Sequence, residues 1–161
     1  MLTPSQSDSH NTLVEGVLAD HRGVPGALLP ILHGVQDAVG YIPADAVPRI
    51  ALALNLSRAE VHGVITYYHH FRSAPAGRHV VQICRAESCQ AMGSEQLWAH
   101  ACSHLGSDGH SPTADGAFTV EPVYCLGLCA SSPSMAIDGQ VFARLNVDKF
   151  NTLIDRARSA A

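Results

Sequence analysis

The segment His79-Val-Val-Gln-Ile-Cys84-Arg-Ala-Glu-Ser-Cys89-Gln-Ala-Met-Gly-Ser94 decides how the chain is read. Residues 79–84 alternate like a strand, with Val81 and Ile83 on one side. Ser94 then stands where it can cap a helix whose Leu97, Trp98, Ala101, Cys102 and Leu105 share one face. A Gly/Ser/Asp-rich loop over 106–116 leads to a second alternating stretch, 118–123. Segments 134–137 and 141–145 flank Asp138-Gly139, a two-residue hairpin signal. Asn146 can cap a closing helix with Val147, Phe150, Leu153 and Ile154 inward. Arg156 and Arg158 sit near its end, where the helix dipole favours cations. The order is strand, helix, strand, hairpin, helix.

Upstream the style differs. Leu28, Leu32, Val35 and Val39 recur on one helix face, and Gly40 is a stop signal before Tyr41-Ile42-Pro43. Asp45 is expected to open another helix, with Pro48 tolerated in its first turn and Val47, Ile50, Ala51 and Leu54 inward. Ser57 and Glu60 form a capping box for a third, which carries Val61, Val64 and Ile65. A short helix around Leu13–Ala19 is expected first, after a frayed polar terminus over residues 1–12. Residues 13–72 thus predict a helical bundle, residues 72–78 (Arg-Ser-Ala-Pro-Ala-Gly-Arg) a linker, and 79–161 an α/β domain. The fold class is α+β.

The 161 residues suffice for one ordinary domain or two small ones, and 47% hydrophobic with 15% charged content suits a packed protein. No apolar run is long enough to span a bilayer. The start lacks the basic-then-apolar layout of a secretory signal, so a cytoplasmic location is expected, without membrane attachment. Net charge is −4, with one lysine, Lys149; no basic stripe exists, and nucleic-acid binding is disfavoured. Ser57–Tyr68 could pass for half of a helix-turn-helix but lacks a basic recognition face.

All five cysteines lie after residue 83, and four form two close pairs: Cys84-x4-Cys89 and Cys125-Leu-Gly-Leu-Cys129. Soft thiolates in fours suit iron–sulfur clusters. The rival readings are a structural zinc, usually held by C-x2-C knuckles, a catalytic C-x-x-C dithiol, and four unrelated core thiols. Spacings of four and three fit the first two poorly, and close pairing beside a glycine or a helix start argues against the last. Cys84 is placed at a strand end, Cys89 just before a helix, and the other pair on a loop where Gly127 permits close backbone approach. Arg85 is expected to temper the charge of a reduced cluster; at ~7 Å and an effective dielectric of ~20 one positive charge contributes ~2 kcal/mol, roughly 0.1 V. Cys102 reads as a core thiol. His100 and His104 share a helical face without an H-E-x-x-H motif, and His69-His70 read as a helix end.

With these residues in view, the chain resembles the small [2Fe–2S] subunits of NADH dehydrogenases: the thioredoxin-like subunit of respiratory complex I and its counterparts in NAD-linked hydrogenases and formate dehydrogenases. The resemblance covers about residues 25–158. It rests on 28–32, 36–43, 59–64 and 66–68 in the first half, and on the four cysteines with Cys-Leu-Gly-Leu-Cys-Ala (125–130) in the second. Residues 84–93, Cys-Arg-Ala-Glu-Ser-Cys-Gln-Ala-Met-Gly, are most similar to the gamma subunits of soluble NAD-dependent formate dehydrogenases.

The resemblance implies a four-helix bundle before a thioredoxin-like domain, and a [2Fe–2S] cluster ligated by Cys84, Cys89, Cys125 and Cys129. It implies docking on an FMN- and NADH-binding beta subunit and, through it, on an alpha subunit that oxidises formate at a molybdopterin-bound molybdenum or tungsten, with further iron–sulfur clusters between. The chain would carry no catalytic residues and no substrate, FMN or NAD site of its own; G-x-G-x-x-G and P-loop motifs are absent. The alternatives are the equivalent subunit of complex I or of an NAD-linked hydrogenase, a free-standing thioredoxin-type ferredoxin, and a zinc-stapled interaction module. Aromatic and histidine positions from Tyr67 to Phe71 are expected to contribute to docking.

Overall fold

Leu32, Val35, Ile50 and Val61, each buried to within 1% of full burial, meet where the upstream helices converge. The computed structural model describes residues 4–159. Its contacts divide the chain between Pro75 and Ala76. The first unit contains α1 (Pro4–Asp20), α2 (Leu28–Val39), α3 (Ala46–Leu54) and α4 (Arg58–Tyr67). Gly40 ends α2 at φ 90°, a left-handed position that glycine adopts without a Cβ clash. The Ser57 hydroxyl accepts the Glu60 N–H at 3.2 Å, and the Glu60 carboxylate accepts the Ser57 N–H at 2.8 Å. That reciprocal cap holds the Glu60 carboxyl below the usual range, through the Ser57 N–H first and its hydroxyl second.

One expectation is corrected here. α1 begins at Pro4 rather than near Leu13, so residues 4–12 are helical, not frayed; residues 1–3 lie outside the described residues. The cause is distant in sequence: Arg49 of α3 binds Glu15, the Asn11 side chain and the Asn11 carbonyl (3.1 Å), and Val14 enters the core. Asp45 occupies the N-cap position of α3 but makes no side-chain cap.

The second unit contains β1 (His79–Cys84), α5 (Glu87–Ala91), α6 (Ser94–Leu105), β2 (Phe118–Val123), β3 (Ser134–Ile137), β4 (Gln140–Ala143) and α7 (Val147–Ser159). They build one sheet in the order β2-β1-β3-β4. β1 runs parallel to β2, from His79 opposite Phe118 to Cys84 opposite Val123, which requires the α5–α6 crossover between them. β3 is antiparallel to both β1 and β4. Val81, Ile83, Phe118, Val120 and Met135 from the sheet pack with Leu97 and Ala101 of α6 and Phe150 and Ile154 of α7. This is the strand, helix, strand, hairpin, helix order expected from the sequence, within an α+β chain.

Asp138 and Gly139 take φ 50° and 82°, as the two-residue hairpin demands, and Asn146 accepts the Lys149 N–H at 2.8 Å to cap α7. Asp108 holds the 106–116 loop. Its carboxylate accepts the Ser111 and His110 N–H groups, which with the Ser111 hydroxyl pull its pKa to about 2. Ser94 is not the cap of α6. It is the first helical residue, fully buried with an unpartnered hydroxyl, and Gly93 at φ 90° takes the cap position because α5 ends at Ala91 with Met92 as its C-cap. Val147, expected inward, is 42% exposed.

Candidate metal centre

β1 and β2 stop side by side, and that register gathers the cysteines. Cys84 is the last residue of β1, and the Arg85 N–H continues the pairing to the Val123 carbonyl at 2.8 Å. β2 ends opposite, at Val123, so Cys125 leaves from the same end of the sheet. Cys89 lies inside α5, not before a helix as expected; the five-residue helix is too short to show a period in sequence. Cys125 is held at φ 126°, a conformation that costs a non-glycine residue about 1–3 kcal/mol. Cys129 opens a single 3₁₀ turn over Cys129–Ser131.

Cys125 and Cys129 bring their sulfurs to 3.7 Å, and the Gly127 N–H donates to Cys125 Sγ at 3.3 Å. Cys84 interacts electrostatically with Cys89 and senses the backbone of Ala86 and Leu126. Cys129 also senses the charge of Cys89 and Cys84. The two pairs of expected ligands thus lie within electrostatic reach of each other. Cys84 and Cys89 are each only 2% exposed, whereas Cys125 and Cys129 face outward.

The environments split the thiols. Burial pushes Cys84 up. Burial acts the same way on Cys89, but its hydrogen bonds with the Ser134 and Ser132 hydroxyls, together with Cys84 and the Ser134 backbone, outweigh it and bring that thiol down. Cys129 is raised first by its hydrogen bond to Cys125, then by that residue's charge. Sequence reasoning missed these serines. Ser132 Oγ is 3.6 Å and Ser134 Oγ 3.5 Å from Cys89 Sγ, and Ser88 Oγ reaches the Cys129 carbonyl at 3.1 Å. The available signal was a hydroxyl within a few residues of each cysteine pair.

Among the described residues no three His, Cys, Asp or Glu side chains converge as a site for one metal ion; the thiols form two pairs. A tetrahedral zinc needs four donors around one point. Two thiol pairs, with N–H and O–H donors aimed at sulfur, fit an anionic two-iron cluster.

Other candidates fall elsewhere. Cys102 is half-buried, its thiol raised by burial, in electrostatic contact with Arg85 and Asp108. Arg85 is not a free charge: it grips Glu95 through two bonds of 2.9 and 2.7 Å and stacks 4.9 Å from the Trp98 ring. His100 and His104 stack at 5.4 Å against Phe150, and His100 bonds Asn151 at 2.8 Å, so both serve α6–α7 packing. Tyr67 and Tyr68 are exposed as expected, but Phe71 is buried and packs with His33. No described helix is long and apolar enough to cross a membrane.

Residues 14–158 match the thioredoxin-like [2Fe–2S] ferredoxin family. A subunit of an NADH-quinone oxidoreductase of Rhizobium meliloti is 31% identical over 147 residues, covering 91% of this chain and 88% of its own. NADH-quinone oxidoreductase subunit 2 of Thermus thermophilus is 32% identical over 121 residues, covering 75% and 67%. A crystal structure of an NAD+-reducing [NiFe]-hydrogenase in the H2-reduced state superposes with a TM-score of 0.70 at 24% identity, over 87% of this chain. The chain spans only 23% of that hydrogenase chain, and at this identity the likeness speaks to fold alone.

Proposed function

The chain belongs to the thioredoxin-like [2Fe–2S] ferredoxin family, and from that premise we propose that it is the one-electron subunit of a cytoplasmic NAD-dependent formate dehydrogenase. Its cluster would be held by Cys84, Cys89, Cys125 and Cys129 and exchange single electrons with FMN on an NADH-binding partner. The observation that carries the reading is the delivery of four thiols, in two pairs, to one end of a β1–β2 parallel pair. Relatives that are subunits of NADH-quinone oxidoreductases support an NADH-linked complex. The formate assignment rests on segment 84–93. A second reading, the equivalent subunit of complex I or of an NAD-linked hydrogenase, draws on those same relatives and on the hydrogenase fold.

When bound, the cluster supplies a site that takes and returns one electron at a time. The chain's residues do the rest. Cys84 and Cys89 sit away from water. The Gly127 N–H directs partial positive charge at Cys125 Sγ. Cys125 and Cys129 lie on the open side, where a flavoprotein can approach. In the complex, an alpha subunit holding a molybdopterin metal would supply formate oxidation to CO2, a proton and two electrons, and NAD+ on the beta subunit would take up two electrons and a proton as NADH.

Iron, acid-labile sulfide and zinc per anaerobically purified chain, with an EPR spectrum after dithionite, test the cluster. Two irons, two sulfides and a rhombic S = 1/2 signal are expected. Serine at Cys84, Cys89, Cys125 or Cys129 should remove or alter the signal, and Cys102→Ser should not. One zinc and a silent spectrum would overturn the reading. Affinity purification from the native host should bring down formate:NAD+ activity; hydrogen:NAD+ or NADH:quinone activity in its place would select the second reading.

A further inference from the structure

Ser134 opens β3, is 1% exposed, and sits just past the last β1–β3 pair, Ile83 with Met135. Cys84 is the next residue on the other strand, so both project at the end of the sheet where the thiols gather. The Ser134 hydroxyl lies 3.5 Å from Cys89 Sγ. Among the described residues the hydroxyl has no other hydrogen-bond partner.

Proton counting then fixes the direction. A hydroxyl carries one proton, and a metal-bound thiolate carries none. When Cys89 is a ligand, the bond runs only from Ser134 Oγ to sulfur. Ser132 is placed differently. Its Oγ is 3.6 Å from Cys89 Sγ but also 2.9 Å from the Cys129 carbonyl and 2.8 Å from Ser88 Oγ, so its single proton is contested.

We propose, resting on the iron–sulfur reading above, that Ser134 is a tuning residue for the electron carrier: its buried hydroxyl donates to Cys89 Sγ and raises the reduction potential. Hydrogen bonds to a cluster's sulfurs and the burial around it set its potential. Reduction adds one electron, drawn from a reduced flavin in the complex or from dithionite in the assay. No bond is made or broken, and Ser134 keeps its proton. The added charge strengthens the hydrogen bond, so the reduced form gains more than the oxidised form.

The test is a dithionite redox titration followed by EPR on the full chain. Ser134→Ala should lower the equilibrium constant for reduction three- to tenfold, roughly 28 to 59 mV at about 59 mV per decade. Ser134→Thr, which keeps the hydroxyl, should restore the parent value within twofold. Ser132→Ala should shift it less than Ser134→Ala. The Fe–S stretching bands of the parent should move on transfer to D2O, and move less in Ser134→Ala. An alanine variant with two irons, two sulfides and the parent's potential overturns the proposal. If that variant fails to load its cluster, unshifted Raman bands of the parent in D2O overturn it instead. A parent chain without iron and sulfide overturns the underlying cluster reading, and this proposal with it.

Discussion

Replacing Gln36 should loosen the segment that follows the exposed aromatics Tyr67 and Tyr68. Gln36 is only 5% exposed on α2. Its Nε2 donates to the His70 carbonyl at 2.8 Å, and its Oε1 accepts the Arg72 N–H at 2.7 Å. Gln36→Leu keeps approximate volume but strands two backbone groups. Each stranded group costs about 1–3 kcal/mol, so about 2–4 kcal/mol is expected once the apolar gain is set against it. Urea unfolding followed by far-UV circular dichroism should show a midpoint lower by roughly 1–2 M at an m-value near 2 kcal/mol/M. Gln36→Glu adds a pH signature. A protonated glutamic acid can donate to His70 and accept from Arg72; the ionised form has no proton to give and is a buried charge. Its folded-state pKa must lie above the unfolded value of about 4.3. Stability tied to that proton is fully present below the unfolded pKa and lost as pH rises through the folded one. The Glu variant should approach the parent near pH 4 and fall behind at pH 7–8. A Leu variant within 0.5 kcal/mol of the parent, or a Glu variant with a constant deficit from pH 4 to 8, would refute the bridging role.

Because Glu95 offsets Arg85, Glu95→Gln should raise the cluster's midpoint potential and Arg85→Gln should lower it. Side-chain exposures of 40% and 29% keep each shift under about 59 mV, and a redox titration of both variants with the double variant checks the opposing signs. Tyr67→Ala and Tyr68→Ala should weaken assembly with the flavoprotein in size-exclusion or pull-down assays without lowering the chain's melting temperature, whereas Phe71→Ala should cost about 3–5 kcal/mol of stability. Ser94→Ala should leave stability unchanged or raise it by up to about 1 kcal/mol in urea unfolding, since the buried hydroxyl it removes has no partner.

What sequence can reveal divides by the range of the interaction. The Ser57–Glu60 box, the Gly40 stop and the Asp138-Gly139 turn are closed by neighbours within a few residues, and each stands where the sequence places it. The start of α1 is invisible in sequence because Arg49, 34 and 38 residues away, ties down Glu15 and Asn11. The cap of α6 escapes a sequence reading because Gly93 serves a joint with α5, a helix with a single turn and no period. The centre shows the same division. Cysteine spacing alone marks the two thiol pairs, but their unequal exposure follows from strand order. Cys84 ends the central strand β1, flanked by β2 and β3, and is buried; Cys125 follows β2, an edge strand, and emerges into the open. Ser134 reaches Cys89 only because β3 lies on the other side of β1, a neighbour relation set by a 45-residue separation between hydroxyl and thiol. The sheet therefore gives the two thiol pairs different surroundings, hydroxyl donors and burial at one and solvent at the other. The Cys125–Cys129 side faces outward, while Ser132 and Ser134 lie beside the buried Cys89.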